Sequence, residues 1–516
     1  MQDSNIKTPG VYINEINTTI GTSIRVATSI PAFIGYTPKA EYSGKSYHNK
    51  PFKVTSLQMF ETVYGFSQEK NNQSYPQYYI KEQPKGDIAE SVMLNEKHYT
   101  IEVDPATVYY LYNSVKLFFI NGGEEAYITS VGNYGTPSGK YTVCEREIIN
   151  PNMKLDDLLK GIDAVKNIPE VTLYLCPEAT LLSVDENGIL MQKMLNQCSE
   201  LNTAMAIFDV KGTKSTHISS YKNSIADFRY HVGEANLSYG AAYCPFLHTS
   251  VVNSINYTNF FGGDIMQLKP ILDTPYNADS AVVNILQEIH DNKRASDVSH
   301  YHKLLLEMST TYKWLINAVQ EDYSLIPPSG AMAGIISRVD NNSGVWQAPA
   351  NIAMKGVKSL AVNLSDEQQG DLTVDISGKS VNAIRSIPQR GALVWSARTL
   401  DSNSLEWKYI ATKRTAIFIE QSCRETLKGY LVQPNDSYTW AAVNSVINSF
   451  LTELWKEGAL VGAKPSDAFT VACGLGATMT ATDILNGYII LNIKVAITRP
   501  AEYIDITITE KMATDI

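Results

Sequence analysis

Between Leu155 and Cys244 the apolar residues switch repeatedly between two periods, and this restricts the fold more than any other stretch. Leu155, Leu158, Leu159, Ile162 and Val165 recur at the spacing of one helix face, and Pro169 ends that segment. "VTLYLC" follows as a short apolar run. A helical stretch over 189–201 then leads to "AMAIFDV", and "HISSYKNSIADF" leads to "YGAAYC". The order strand, helix, strand, helix, strand predicts a parallel sheet with crossover helices.

Outside this core the signals are more local. Val115–Ile120 reads as a buried strand stopped by Gly122 and Gly123, with "EEAYITSVG" as its neighbour. Tyr42–Lys85 is polar and Tyr-rich and reads as a long surface loop or insertion, whereas 284–318 reads as helix. Two later helices carry clear faces. Ala416, Ile419, Cys423 and Leu427 align on one, with Gly429 at the C-cap position. Trp440, Val443, Ile447, Phe450, Leu451 and Leu454 align on the other, with Asp436 or Ser437 as N-cap and Gly458 as the stop. At the two ends the period is two: Val11 and Ile13, then Ile504, Ile506 and Ile508, alternate with polar residues. These are strands without an evident sheet, placed where chains usually fray.

At 516 residues the chain exceeds what one core supports, so two to four domains are expected. The net charge of −10, with no basic run, argues against sequence-independent nucleic-acid binding, which needs clustered cations. No signal-peptide pattern opens the chain, and no apolar run approaches the roughly 18 residues of a membrane span. Synthesis in the cytoplasm is the expectation. Six cysteines without a C-x-x-C pair read as buried reduced thiols. The 30 tyrosines, against 14 phenylalanines, suit partly buried surfaces between subunits or domains.

Candidate chemistry is sparse. "CGLGAT" is the only Gly-x-Gly and lacks the rest of a dinucleotide fingerprint, and no P-loop is present. Ser329 in "PPSGAMAG" and Asp209 at the end of "AMAIFDV" are placed like a subtilisin-type nucleophile and acid. Acylation needs a histidine base, and His217, His231 and His248 lie in no setting that shapes a site. Ser329 therefore reads as a turn residue after two prolines. Asp297, His300 and His302 in "DVSHYH" would converge on a metal only in a strand, and a solvated helix or loop is expected instead. No catalytic, cofactor-binding or metal residue is assigned; the competing reading is an active subtilisin-like serine hydrolase.

Taken in order, "TPGVYINEI", "SIPAFIGYT", "KPFKVTSLQMFETVYG", "SVKLFFINGGEEAYITSVG", "GIDAVKNIPEVTLYLCPE", "AAYCPFL", "PPSGAMAGIISRVDNNSGVWQAPAN", "VNAIRSIPQRGALVWSARTL", "YIATKRTAIFIEQS", "VQPNDSYTWAAVNSVINSFLTELWKEGALVGAKPSDAF" and "RPAEYIDITI" resemble the contractile tail sheath proteins of phage tails, R-type pyocins and extracellular contractile injection systems. The resemblance implies an α/β, multi-domain chain. Its middle domain is subtilisin-like without the triad, and a C-terminal α+β sheath domain follows. It divides the sequence into an arm (1–22), a sheath domain (23–345) with insertions near 67–110 and 248–320, an inner tube-facing domain (346–499) and a second arm (500–516). It further implies that Val11, Ile13, Ile504, Ile506 and Ile508 are donated to neighbouring subunits. Glu453, Lys456 and Glu457, at the polar end of the helix over 436–458, are assigned to the inner tube. The implied partners are further copies of the chain in a helical polymer, an inner tube protein, baseplate and terminal cap proteins, and a second sheath paralogue. No nucleic acid, cofactor or direct membrane insertion is implied. Assembly is expected in the cytoplasm, for use in a phage tail, a released particle or an envelope-anchored device.

Overall fold

The computed structural model describes residues 23–66, 76–83, 91–94, 97–144, 147–213, 218–272, 280–292 and 297–502. These form two compact units. The smaller joins the described part of Met1–Val26 to Ile419–Ile497, and the larger joins Ala27–Phe418 to the described part of Thr498–Ile516.

The larger unit is built on a sheet of strands β1 (Pro31–Thr37), β2 (Phe52–Val54), β3 (Ala126–Asn133), β4 (Leu173–Leu175), β5 (Met205–Asp209), β6 (Gly240–Cys244), β7 (Ile352–Ala353), β8 (Asn382–Ile387) and β9 (Gly391–Val394). Their order is β7-β9-β8-β6-β5-β4-β1-β3-β2. The six from β8 to β3 run parallel, and antiparallel strands close both edges. β1, β4, β5 and β6 are buried at every position, which requires cover on both faces.

Five helices supply that cover: α1 (Leu111–Ile120), α2 (Leu155–Val165), α3 (Val184–Leu201), α4 (Ile218–His231) and α5 (Ser329–Ser343). Neighbouring residues of β1 show the two faces. The Phe33 ring meets Phe118 of α1 at 5.6 Å, while Ile34 lies where a Cβ on Gly161 of α2 would come within 2.7 Å of it. α1 and α5 share the first face and approach backbone to backbone, because a side chain on Gly330 or Gly334 would run into the carbonyls of Ser114 and Phe118. Sequence periodicity located α2, α3 and α4 and the strands between them correctly.

Two expectations are overturned. Val115–Ile120 is not a strand but the second half of α1. Tyr42–Lys85 is not one loop, since it holds β2, the helix Leu57–Tyr64 and the strand Tyr78–Gln83. Tyr64, Tyr78, Tyr174, Tyr243 and Tyr312 are among the largest fully buried side chains. The two regions read as insertions also meet each other. The Gln77 amide exchanges hydrogen bonds with Thr258 and Gly262, and Tyr78 Oη donates to Asp322 Oδ2 at 3.1 Å.

In the smaller unit the end of α6 (Ile410–Lys428) is followed by α7 (Ser437–Lys456). The Asp436 side chain caps α7 by accepting the Thr439 N–H, and Val443, Ile447, Phe450, Leu451 and Leu454 are buried along one face. Strands Phe469–Ala472 and Asn492–Val495 form an antiparallel pair beside it. Asn444 of α7 donates to the Cys473 carbonyl at 3.1 Å, and Trp455 to that of Gly462 at 2.9 Å.

Candidate functional site

In an open parallel sheet, ligands bind where the strand order reverses, beyond the carboxyl ends of the strands. Here the chain leaves β1 through α1 to reach β3 on one side. It then returns through α2, on the other face, to β4 on the opposite side of β1. The reversal therefore lies between β1 and β4, at the N-terminus of α1. That is where an α/β enzyme would hold an anion on free amides. In this chain Glu178, three residues beyond β4, already fills it. Its carboxylate accepts the Tyr36 N–H at 2.6 Å and the Leu111 N–H at 3.4 Å, with no side-chain exposure. Gly35 is required beside it, because a Cβ there would stand 2.6 Å from Glu178 Oε2. Burial pushes the Glu178 carboxyl up to about 8, against the opposing pull of the Tyr36, Leu111 and Tyr110 amides.

The second position suspected of chemistry is closed in the same way. Asp209 ends β5, and Ser329 opens α5. The Ser329 N–H donates to Asp209 Oδ1 at 2.7 Å and its hydroxyl to Oδ2 at 2.6 Å. Ser329 is thus not a turn residue but the first helical residue, wholly buried, with an aspartate 120 positions away as its helix cap. Burial raises the Asp209 carboxyl to about 7. Among the described residues no imidazole bonds to either group. His231 pairs with Asp185 at 3.1 Å, His248 Nδ1 with Ser324 Oγ at 2.9 Å, and His302 Nδ1 with Tyr312 Oη at 2.8 Å. His217 lies outside the described residues. Among the described residues the Ser329 hydroxyl bonds only to a buried carboxylate, with no imidazole placed to accept its proton and later deliver it to a leaving group. Asp209 and Ser329 lock a helix to a strand. "DVSHYH" is helical from Val298, which turns His300 and His302 apart. Among the described residues no three His, Cys, Asp or Glu side chains could hold a metal ion.

The residues assigned to inter-subunit contacts divide by position. Val11, Ile13, Ile504, Ile506 and Ile508 lie outside the described residues. Glu453, Lys456 and Glu457 are exposed at the end of α7. The two acids are not free there: Arg25 reaches Glu457 at 2.9 Å and Glu453 at 3.2 Å, while Lys456 has no partner among the described residues. At the other end of the chain, Glu502 accepts two hydrogen bonds from the buried Arg398 guanidinium, at 2.7 and 2.5 Å, and one from Tyr409 Oη at 3.1 Å. Sequence reasoning passed over Glu178, Arg25, Arg398 and Glu502. Only Glu178 left a trace, as an acid just after a parallel strand.

Residues 402–510 match the phage tail sheath C-terminal domain family. Over the whole length, the chain superposes on the sheath complex of an extracellular contractile injection system, PVC, in the contracted state. The TM-score is 0.58 at 22% identity, covering 98% of this chain and 99% of the other. The chain has the contractile-sheath fold. The same sheath fold appears in the contracted helical sheath of the anti-feeding prophage (TM-score 0.58, 20% identity, 98% and 99% covered). It appears again in that particle's contracted baseplate (TM-score 0.59, 21% identity, 99% and 98% covered). No curated protein matches the sequence. No helix among the described residues of this sheath-fold chain is long and apolar enough to cross a membrane.

Proposed function

We propose that the chain is the structural subunit of a contractile sheath, which polymerises helically around an inner tube and contracts to drive that tube through a target membrane. The observation that carries this reading is the two-stranded sheet within the sheath C-terminal domain. Two strands alone are marginally stable, and neither Phe469–Ala472 nor Asn492–Val495 has a second strand partner among the described residues. The connection between them exposes Leu475, Leu485, Tyr488 and Ile490. An open edge of this kind accepts a strand from another chain through main-chain hydrogen bonds. Val11 and Ile13, and Ile504, Ile506 and Ile508, have the alternation such a guest needs. A head-to-tail exchange that does not close generates a filament.

The partners are further copies of this chain, a baseplate, an inner tube approached by Glu453, Lys456 and Glu457, terminal cap proteins and a second sheath paralogue. Contraction proceeds from an extended, kinetically trapped lattice by rigid-body rotation of subunits, with the exchanged arms as hinges. The work comes from surface buried on contraction, so no step is enzymatic. The self-filled positions at Glu178 and Asp209 support that view. Assembly takes place in the cytoplasm, and the finished sheath serves a phage tail, a released particle or an envelope-anchored device. Negative-stain microscopy of the expressed chain, or of native particles, should show long regular tubes. A discrete oligomer labelled at Ser329 by a fluorophosphonate would instead establish the serine hydrolase reading.

A further inference from the structure

Ile24, Arg25 and Val26 run beside the last turns of α6. The Ile24 N–H donates to Thr426 Oγ1 at 3.0 Å and the Val26 N–H to Ser422 Oγ at 3.3 Å. Alternate residues of an extended chain are roughly 6.6 Å apart and four helical residues rise roughly 6 Å, so two amides two apart meet two hydroxyls four apart. Between these two fastenings the Arg25 guanidinium reaches α7. Nη1 donates to Glu457 Oε2 at 3.0 Å, and Nη2 to Glu457 Oε1 at 2.9 Å and to Glu453 Oε2 at 3.2 Å. Only a planar fork grips one carboxylate with two bonds while also touching a second, so a lysine could not reproduce the contact.

We propose that Arg25 is the positioning residue of the N-terminal arm. It ties the arm's root to Glu453 and Glu457 of α7, while Ser422 and Thr426 of α6 hold the flanking amides. The point from which residues 1–22 extend towards a neighbour is thereby fixed before any neighbour arrives. The inference rests on the reading that this arm is donated. Its consequence is a competition: the two carboxylates assigned to the inner tube are the ones Arg25 occupies. A tube cation that captures Glu457 displaces Arg25 and loosens the arm, so tube contact and strand exchange are coupled through one pair of side chains.

The test compares the full-length chain with Arg25→Glu, Arg25→Lys and the charge-swapped pair Arg25→Glu with Glu457→Arg. Hydrogen exchange of peptides spanning 23–27 in the unassembled chain should accelerate about three- to tenfold in Arg25→Glu. It should accelerate less in Arg25→Lys and return towards wild type in the swap. Tube yield by microscopy should fall and recover in the same order, with thermal melting unchanged. Unaltered exchange in Arg25→Glu, or a swap that restores nothing, overturns the proposal. Deletion of Met1–Asn17 keeps the two readings apart. If that deletion abolishes tubes while Arg25→Glu assembles normally, donation stands and the clamp is wrong. If tubes persist after the deletion, donation is wrong, and the exchange rates alone decide the clamp.

Discussion

Asp209 and Ser329 show how a protease-like pair of residues becomes structural at the scale of single atoms. The Ser329 hydroxyl and amide both end on one carboxyl group with no cation beside it among the described residues, so its energetics there are set by burial and by the Ser329 hydrogen bonds. Ser329→Ala removes a hydrogen bond to a buried carboxylate and should cost about 1–3 kcal/mol by urea unfolding, without changing assembly. The pH dependence follows from the raised carboxyl. Its ordinary value is about 3.9 and its folded value is about 7, so the native state keeps a proton that the unfolded chain has lost. Stability from this group is complete below about pH 4 and is lost as pH rises through about 7. Asp209→Asn cannot titrate. Wild type should therefore lose ground to Asp209→Asn between pH 5 and pH 8, by up to about 1.4 kcal/mol per pH unit. A pH-independent difference between the two would refute an uncharged, desolvation-dominated carboxyl at this position.

What was legible at the scale of elements was whatever the local period decided. α2 and α3 show one apolar face each, and β4, β5 and β6 are short apolar runs between helices, so periodicity placed them. α1 was misread for a physical reason. Val115, Leu117 and Phe118 are all buried, because the helix packs against both the sheet and α5 beside it, and a helix covered nearly all round has no polar stripe to betray its period. Its start is set by Glu178, 67 residues later, as that of α5 is set by Asp209, 120 residues earlier. No local capping rule reaches that far. α7 is the contrasting case, with its stripe, its Asp436 cap and its Gly458 stop all readable in the sequence. Phe450, 1% exposed at its centre, should cost about 3–5 kcal/mol on replacement by alanine and give insoluble protein. Lys456→Glu, at the exposed end of the same helix, should leave melting within about 0.5 kcal/mol of wild type. On the proposed function it weakens attachment to the inner tube, so extended sheath–tube particles as abundant as wild type would remove Lys456 from that contact.

At the scale of the whole molecule, the decisive question is whether the chain's ends belong to its own core or to a neighbour's sheet. Glu502 sharpens how this must be asked. It carries both hydrogen bonds to the Arg398 guanidinium, itself only 4% exposed at the side chain, while Arg398 Nη1 donates to the Thr373 carbonyl at 3.0 Å. A deletion that begins at Glu502 would leave Arg398 buried without its carboxylate, at a cost of about 3–5 kcal/mol, and would unsettle the subunit whatever the later residues do. The informative truncation removes 503–516 and keeps Glu502. If Ile504, Ile506 and Ile508 pack within their own subunit, that truncation strips roughly 1.5–3 kcal/mol per isoleucine from the core, and the melting transition falls. If they are donated, the truncated subunit keeps its own core and loses only contacts at each junction of the lattice. Several main-chain hydrogen bonds, each worth about 0.5–1.5 kcal/mol net, disappear there together with the isoleucines, enough to stop polymerisation. The expected product is a soluble monomer with a cooperative, unshifted melt and no tubes by microscopy. Tubes of normal length, or a destabilised monomer, would count against donation of residues 503–516 to a neighbour.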